Sequence, residues 1–79
     1  MDQKPSVGRI VHFGHPVYDK DRQDSPVFAE PWAAMITQVN ADDTVHLAIF
    51  PPDGVARARQ RVKFSPELNA DNWSWPPRV

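Results

Sequence analysis

The chain has 79 residues, of which 41% are hydrophobic and 24% charged, with no cysteine and a formal net charge of −1. This is the length of one domain, so we expect residues 1–79 to form a single unit, and the composition argues against a disordered tail. Apolar runs are far shorter than the roughly 20 residues that cross a bilayer, and without cysteine no disulfide or thiolate zinc site forms. The polar opening Met1–Pro5 lacks the pattern of a secretory leader, so we expect a cytoplasmic protein.

Nine prolines interrupt the chain so often that no helix longer than about three turns fits between them. Alternating apolar residues predict a first strand over residues 7–13, which ends at Gly14. Residues 14–31 hold three of the prolines and a run of mixed charge, and they predict a long exposed loop or a loosely paired hairpin.

Two further strands, over residues 32–40 and 44–50, flank a polar turn and form the hairpin that the pattern predicts best. A fourth strand covers residues 55–64. The segment Ser65–Leu68 resembles an N-cap followed by one helical turn, and Trp73–Trp75 closes the sheet as a fifth strand.

This order of elements predicts an all-β fold, a small five-stranded SH3-like barrel with a long first loop and one short helical turn before the last strand. An open β-sandwich or an OB-like barrel would give a similar pattern.

The fourth strand is the most informative segment because its cations recur at every second residue. In extended backbone these side chains share one face over roughly 20 Å, while the alternating Ala56, Ala58, Val62 and Phe64 take the other. Such a stripe would bind successive phosphates of a nucleic acid or the phosphates of one nucleotide. The same alternation is also typical of a solvated face, of an edge strand protected by charge, or of a strand that pairs with the acidic loop at residues 19–24. The cations are Arg57, Arg59, Arg61 and Lys63.

Three tryptophans offer a second binding feature. Trp73 and Trp75 lie two residues apart and, with Trp32, would make a stacking platform for a base or a groove for an extended proline-rich peptide. A small barrel also needs large apolar side chains in its interior, so we expect at least two of the three to pack in the core. The predicted ligand-binding set joins the four cations to Trp73 and Trp75.

Patterns for metal binding and catalysis are weak. His12 and His15 are three residues apart, which places them on opposite faces of a strand unless the chain turns at Gly14. No serine stands in a nucleophile motif, and the glycines form no phosphate-binding loop. We therefore predict no catalytic residue, no metal ligand and no cofactor, and a protein that binds rather than an enzyme.

Four sequence blocks together resemble a known family. They are Pro5–His12, Ala33–Val39, Leu47–Gly54 and Trp73–Pro76, and the combination is similar to small uncharacterised bacteriophage and prophage proteins that open with P-S-V-G-R-I-V-H and close with W-x-W-P. The resemblance implies a phage origin and action in the cytoplasm of an infected bacterium. It transfers no functional residues, and the loop at 14–31 departs from it, being rich in Asp and Pro where the relatives are richer in Gly.

These observations lead to one main hypothesis and two alternatives. The main hypothesis is a phage accessory protein that acts by stoichiometric binding of an anionic partner and so counters host defence. That partner is a nucleotide-type signal, nucleic acid or an acidic surface of a host protein. The first alternative is a protein–protein interaction module that uses its aromatic surface or the 14–31 loop. The second is a minor virion component. A domain this small would also gain stability from homo-oligomerisation.

Overall fold

The computed structural model describes residues 4–19, 21 and 25–77. In these ranges the chain forms five β-strands, β1 (Ile10–Val17), β2 (Phe28–Val39), β3 (Val45–Phe50), β4 (Arg57–Phe64) and β5 (Asn72–Ser74), and no helix. The strands follow one another in chain order around a closed barrel. The predicted all-β, SH3-like barrel is confirmed. The described ranges hold no helix long and apolar enough to cross a membrane.

Barrel closure depends on β5, which pairs with strands from both ends of the sheet. It is antiparallel to β1 through His12 and Phe13 and parallel to β4 through Lys63 and Phe64. Because a closed barrel has no free sheet edge over these residues, the backbone groups of the outer strands find partners.

Every second residue along β1, β2 and β3 points into the barrel, as strand geometry requires. Among the described residues, nine hydrophobic side chains are buried there, and Trp32 and Trp75 pack against them. We call the side of a strand that carries these residues its core side, and the opposite one its outer side. The buried residues are Val11, Phe13, Ala34, Ile36, Val45, Leu47, Ile49, Val62 and Trp73.

The first hairpin is longer and better paired than the sequence predicts. β1 does not end at Gly14, which lies inside the strand opposite Pro31, and the ladder continues to the pair Val17 and Phe28. Gly14 is required here because a Cβ atom would collide with the backbone carbonyl oxygen of Asn69. Residues 20 and 22–24 of the predicted charged loop lie outside the described ranges.

The helical turn predicted at residues 65–68 is wrong, because bends take its place. As an N-cap, the Ser65 hydroxyl would accept a backbone N–H of the next turn. Instead it accepts the side-chain amide of Asn69 at 2.9 Å, and the Ser65 N–H donates to the carbonyl of Trp73 at 2.8 Å. One hydrogen bond within the loop and one to β5 therefore replace those of a helix.

The turn between β2 and β3 is held by side chains. The Thr44 hydroxyl donates to Asp42 Oδ1 at 2.6 Å, and the Thr44 N–H donates to the same oxygen at 3.1 Å. Both bonds stabilise the charged carboxylate and hold the pKa of Asp42 below its ordinary 3.8. The bond from the Thr44 hydroxyl has the largest effect, and the positive charge of Arg61 has a smaller one.

Candidate binding surfaces

The cationic strand is extended, as predicted, but its ladder with β3 is irregular. Leu47 lies opposite Arg59, whereas Val45, two residues earlier in β3, lies opposite Val62, three residues later in β4. One extra residue is therefore inserted in β4, and Arg61 takes the left-handed backbone conformation there, with φ of 57°. This is a β-bulge, which reverses the alternation of side chains beyond it.

The bulge divides the predicted stripe of four cations. Residues opposite each other in an antiparallel ladder point to the same side. Arg57 and Arg59 face Ile49 and Leu47, so both lie on the core side, where the sequence placed only apolar residues. Past the bulge Val62 is the buried residue, so Lys63 points to the outer side. The predicted single cationic face is therefore wrong.

Carboxylates lie beside the cations on the core side. Arg57 forms an ion pair with Asp53 at 3.3 Å, and Arg59 forms one with Asp71 at 2.9 Å; all four side chains are roughly half exposed. Exposed ion pairs contribute about 0–1 kcal/mol, so an incoming anion would displace these acids at little cost. The carboxylates nevertheless reduce the positive potential on which the predicted anion site depends.

Arg59 lies beside a cluster of aromatic rings on the core side. Its guanidinium carbon lies 5.7 Å from the ring centre of Phe13, a distance typical of a cation–π contact. Phe13 is opposite Trp32, whose ring stacks on that of His15 with centroids 3.7 Å apart. The Trp32 Nε1 atom is buried without a hydrogen-bond partner.

Of the two tryptophans assigned to the ligand site, Trp73 is a core residue. It is 2% exposed, so no surface ligand reaches its ring, and that assignment is corrected. The centre of its ring lies 5.1 Å from that of Trp75, in an edge-to-face arrangement, and 4.8 Å from that of Phe64. Trp75 is partly buried against the core, with the Arg9 guanidinium 4.9 Å from its ring centre. The prediction that at least two of the three tryptophans pack in the core holds for Trp73, whereas Trp32 and Trp75 are only partly buried against it.

The two histidines of the weak metal pattern lie on opposite sides of β1. His15 stacks on Trp32 on the core side, while His12 lies opposite Ala33 on the outer side. Within the part of the chain that the structure describes, no three histidine or carboxylate side chains are grouped so that they would hold a metal ion.

A surface that the sequence analysis underestimated is the hairpin arm, which comprises residues 14–19 and 25–31. β3 pairs with β2 from Ala33 on, and β5 pairs with β1 at residues 12 and 13, so in the described ranges the arm is a two-stranded extension of the barrel. It exposes Tyr18, Val27 and Phe28, at 48%, 52% and 57%. A groove runs between the arm and the loop before β5, lined by Pro26, Val27, Phe28, Ala29, Leu68, Asn69 and Ala70.

A second surface that the sequence analysis missed lies on the outer side of the sheet. Register places Ile10, Met35, Ala48 and Ala58 side by side across four strands. The next row contains His12, Ala33 and Phe50. The sequence signal was present, because β2 and β3 are apolar at consecutive positions, a pattern typical of strands covered on both sides.

Comparison of the chain with family models, with curated proteins and with solved structures found no match.

Proposed function

We propose that this chain is a binding protein without catalytic activity and that its hairpin arm holds a protein partner. The observation that carries the proposal is the exposure of Tyr18, Val27 and Phe28 where the ladder of the arm ends. Strand alternation turns the neighbouring side chains of Val27 and Phe28 to different sides of the arm, so both of its sides offer apolar surface. Large apolar side chains that are exposed close to one another, rather than singly and far apart, are typical of interaction sites. Tyrosine and phenylalanine are also enriched at protein interfaces.

The chemistry of the arm favours an apolar protein surface with basic groups at its rim. Asp19 and Asp21 are exposed beside Tyr18, and their charge would steer a basic rim toward the arm. Pro16 and Pro31 lie in the two strands of the arm and lack the N–H that an added strand would need. We therefore infer that side chains, rather than strand addition, hold the partner.

The resemblance to phage and prophage proteins supports a bacterial host protein as the partner. In this proposal the chain acts inside the infected cell by occupying a surface of that host protein, with one partner bound per arm. Detection of the chain in purified virus particles would instead support a minor virion component.

The test places a photoreactive benzophenone side chain at position 28 of the tagged protein in infected cells. We expect a crosslink to one protein species, and native mass spectrometry of the purified complex to give a fixed stoichiometry. The variant Phe28→Ser should weaken the complex by at least about 10-fold, because aromatic anchors carry much of the energy of an interface. Val55→Ser is the matched control, because Val55 is 60% exposed but lies between β3 and β4. An affinity that is equal in both variants would overturn the proposal.

The second candidate function is binding of an anionic partner, and it is supported by the position of two arginines on β4. Arg57 and Arg59 are both half exposed on the same side of β4, and Arg59 lies over Phe13. Two phosphate contacts with a single-stranded nucleic acid predict a log-log salt slope of about −1.4, compared with about −3 for the unbroken stripe of four.

The double variant Arg57→Gln with Arg59→Gln should abolish binding of an anionic partner and spare an arm-bound protein. Lys63→Gln is the control because Lys63 points to the outer side. If the double variant binds a single-stranded oligonucleotide or a nucleotide as the unmodified protein does, these arginines have no part in the function.

A further inference from the structure

The loop before β5, residues 65–71, forms one wall of the groove because it packs against the outer side of the hairpin arm. The carbonyl of Asn69 and the Cβ of Ala29 both lie against the position that a Cβ of Gly14 would take. Gly14 follows the core residue Phe13, so this position is on the outer side of β1. The Asp71 N–H, which donates to the Gly14 carbonyl at 2.8 Å, fixes the loop there. One side of the arm is therefore concave.

Apolar side chains line most of this groove. The arm contributes Pro26, Val27 and Ala29, and the loop contributes Leu68 and Ala70. The two alanines are small, and a space of about 560 Å³ stays open between the walls. Pockets that hold small ligands measure about 300–1,000 Å³. The groove therefore has room for a large apolar side chain together with the backbone on either side of it.

The loop side of the groove carries an unpaired carboxylate. Glu67 stands directly before Leu68 and is exposed, and it forms no ion pair within the part of the chain that the structure describes. Asp71, at the other end of the loop, is neutralised by Arg59 at 2.9 Å. Asn69 adds a side-chain oxygen that accepts no hydrogen bond from the described residues. A segment that enters the groove therefore gains from a positive charge and hydrogen-bond donors of its own.

We propose that the groove receives a large apolar side chain of the partner protein, next to a lysine or arginine that pairs with Glu67. This inference rests on the proposed function, because the occupant is a segment of the same partner that the arm holds. The apolar walls select the first residue, and the carboxylate selects the basic one. The groove is much smaller than a standard interface of about 800 Å² per partner, so such a segment in isolation should bind weakly.

The first test titrates the isotope-labelled full chain with a synthetic peptide, acetyl-Lys-Leu-Arg-amide, and follows its backbone amides by NMR. We expect saturable shifts at Leu68, Asn69 and Ala70, with a dissociation constant on the order of 1 mM. Acetyl-Lys-Ser-Arg-amide lacks the apolar side chain and acetyl-Glu-Leu-Glu-amide reverses the charge, so each should bind about 5-fold more weakly or worse. The inference is wrong if the first peptide binds no better than these two, or if its shifts lie elsewhere on the chain.

The second test repeats this titration with variants of the loop. Leu68→Ser removes a wall and should weaken binding of acetyl-Lys-Leu-Arg-amide by about 5-fold or more. Its urea midpoint is measured as well, because Leu68 is partly buried. Glu67→Gln changes an exposed residue and should fold normally, and it should weaken the peptide by about 2–5-fold. Asp43→Asn is the matched control, since it removes an exposed carboxylate in the turn between β2 and β3. Equal affinities for Glu67→Gln and Asp43→Asn would contradict the pairing with Glu67.

The complex captured by the crosslink at position 28 separates this inference from the proposed function. In that complex Leu68→Ser should weaken the partner by about 5-fold or more, in addition to the loss expected for Phe28→Ser. If Phe28→Ser weakens the complex and Leu68→Ser leaves it unchanged, the partner holds the arm without entering the groove, so the inference fails and the proposed function stands. If neither variant weakens the complex, both are wrong.

Discussion

Gly14 shows how one residue couples the first hairpin to the loop before β5. The backbone carbonyl of Asn69 lies where a Cβ would be, and the Asp71 N–H donates to the Gly14 carbonyl at 2.8 Å. The sequence predicted a strand end at this glycine because glycine usually interrupts strands. Glycine in a strand also marks the close approach of another backbone, and one sequence does not separate the two roles.

The substitution Gly14→Ala should lower the free energy of unfolding by roughly 1–3 kcal/mol, because the added methyl group forces the 65–71 segment away from β1. Urea denaturation followed by tryptophan fluorescence measures the change. Ala41→Ser, in an exposed turn, serves as the control. A Gly14→Ala midpoint equal to that of the unmodified protein would mean that Asn69 does not pack here.

The lowered pKa of Asp42 means that part of the folding stability should depend on pH in the acid range. Its folded-state pKa is lowered by the hydrogen bonds from Thr44, so it stabilises the fold above its ordinary pKa of 3.8, and this contribution is lost as the pH falls through the lowered value. An NMR titration of the carboxyl carbon should give a pKa below 3.8 that rises in Thr44→Val. An unchanged pKa in Thr44→Val would rule out the hydroxyl as the main cause.

At the scale of the element, β4 shows where periodicity fails. The recurrence of Arg at every second residue from Arg57 to Arg61 predicted an extended strand correctly, because only extended backbone has a period of two. The side on which each residue lies depends on register, and one inserted residue reverses it. No glycine marks Arg61 as the left-handed position of the bulge, so the sequence contained no local signal for it.

Substitutions at Arg61 test the bulge. Glycine adopts a positive φ without strain, so Arg61→Gly should keep or raise the free energy of unfolding, whereas Arg61→Val should lower it by roughly 1–2 kcal/mol. A regular strand predicts the reverse order, because valine is a strong strand former and glycine a weak one. Thermal melts of the two variants decide between the two backbones.

The hairpin arm was only partly predicted. Pro16 and Pro31 argue for a loop in the sequence, yet both are accommodated in paired strands. Proline is tolerated in a strand whose N–H position faces away from the ladder, and the arm has such positions because the barrel strands do not flank it. The chain order of elements was thus predictable, but the length of the ladder was not.

For the molecule as a whole, the core is small and Trp73 is its largest fully buried side chain. It lies opposite Phe13 on β1 and Phe64 on β4, so it joins the two strands that close the barrel. The sequence predicted tryptophans in the core from the need to fill a small barrel. Which tryptophan is reached by solvent depends on the tertiary arrangement, and this explains why Trp73 was wrongly assigned to the ligand site.

The substitution Trp73→Ala should lower the free energy of unfolding by about 3–5 kcal/mol, which is a large part of the stability of a domain of this size. We expect its near-ultraviolet circular dichroism to be lost at about 25 °C or its urea midpoint to fall steeply. Trp75→Ala should cost less, because Trp75 is only partly buried. Equal losses for the two variants would contradict the assignment of Trp73 as the closing residue.

Pairing between β1 and β5 also has a consequence for synthesis of the protein in the cell. The strand that seals the barrel, Asn72–Ser74, pairs with His12 and Phe13, which precede it by most of the length of the chain, so it leaves the ribosome long after its partner. Until then β1 keeps an unpaired edge, which makes the nascent chain prone to aggregate with other chains on the same polysome. Such contacts between distant parts of a chain also form slowly, so the barrel should close only after the Asn72–Ser74 strand has left the ribosome.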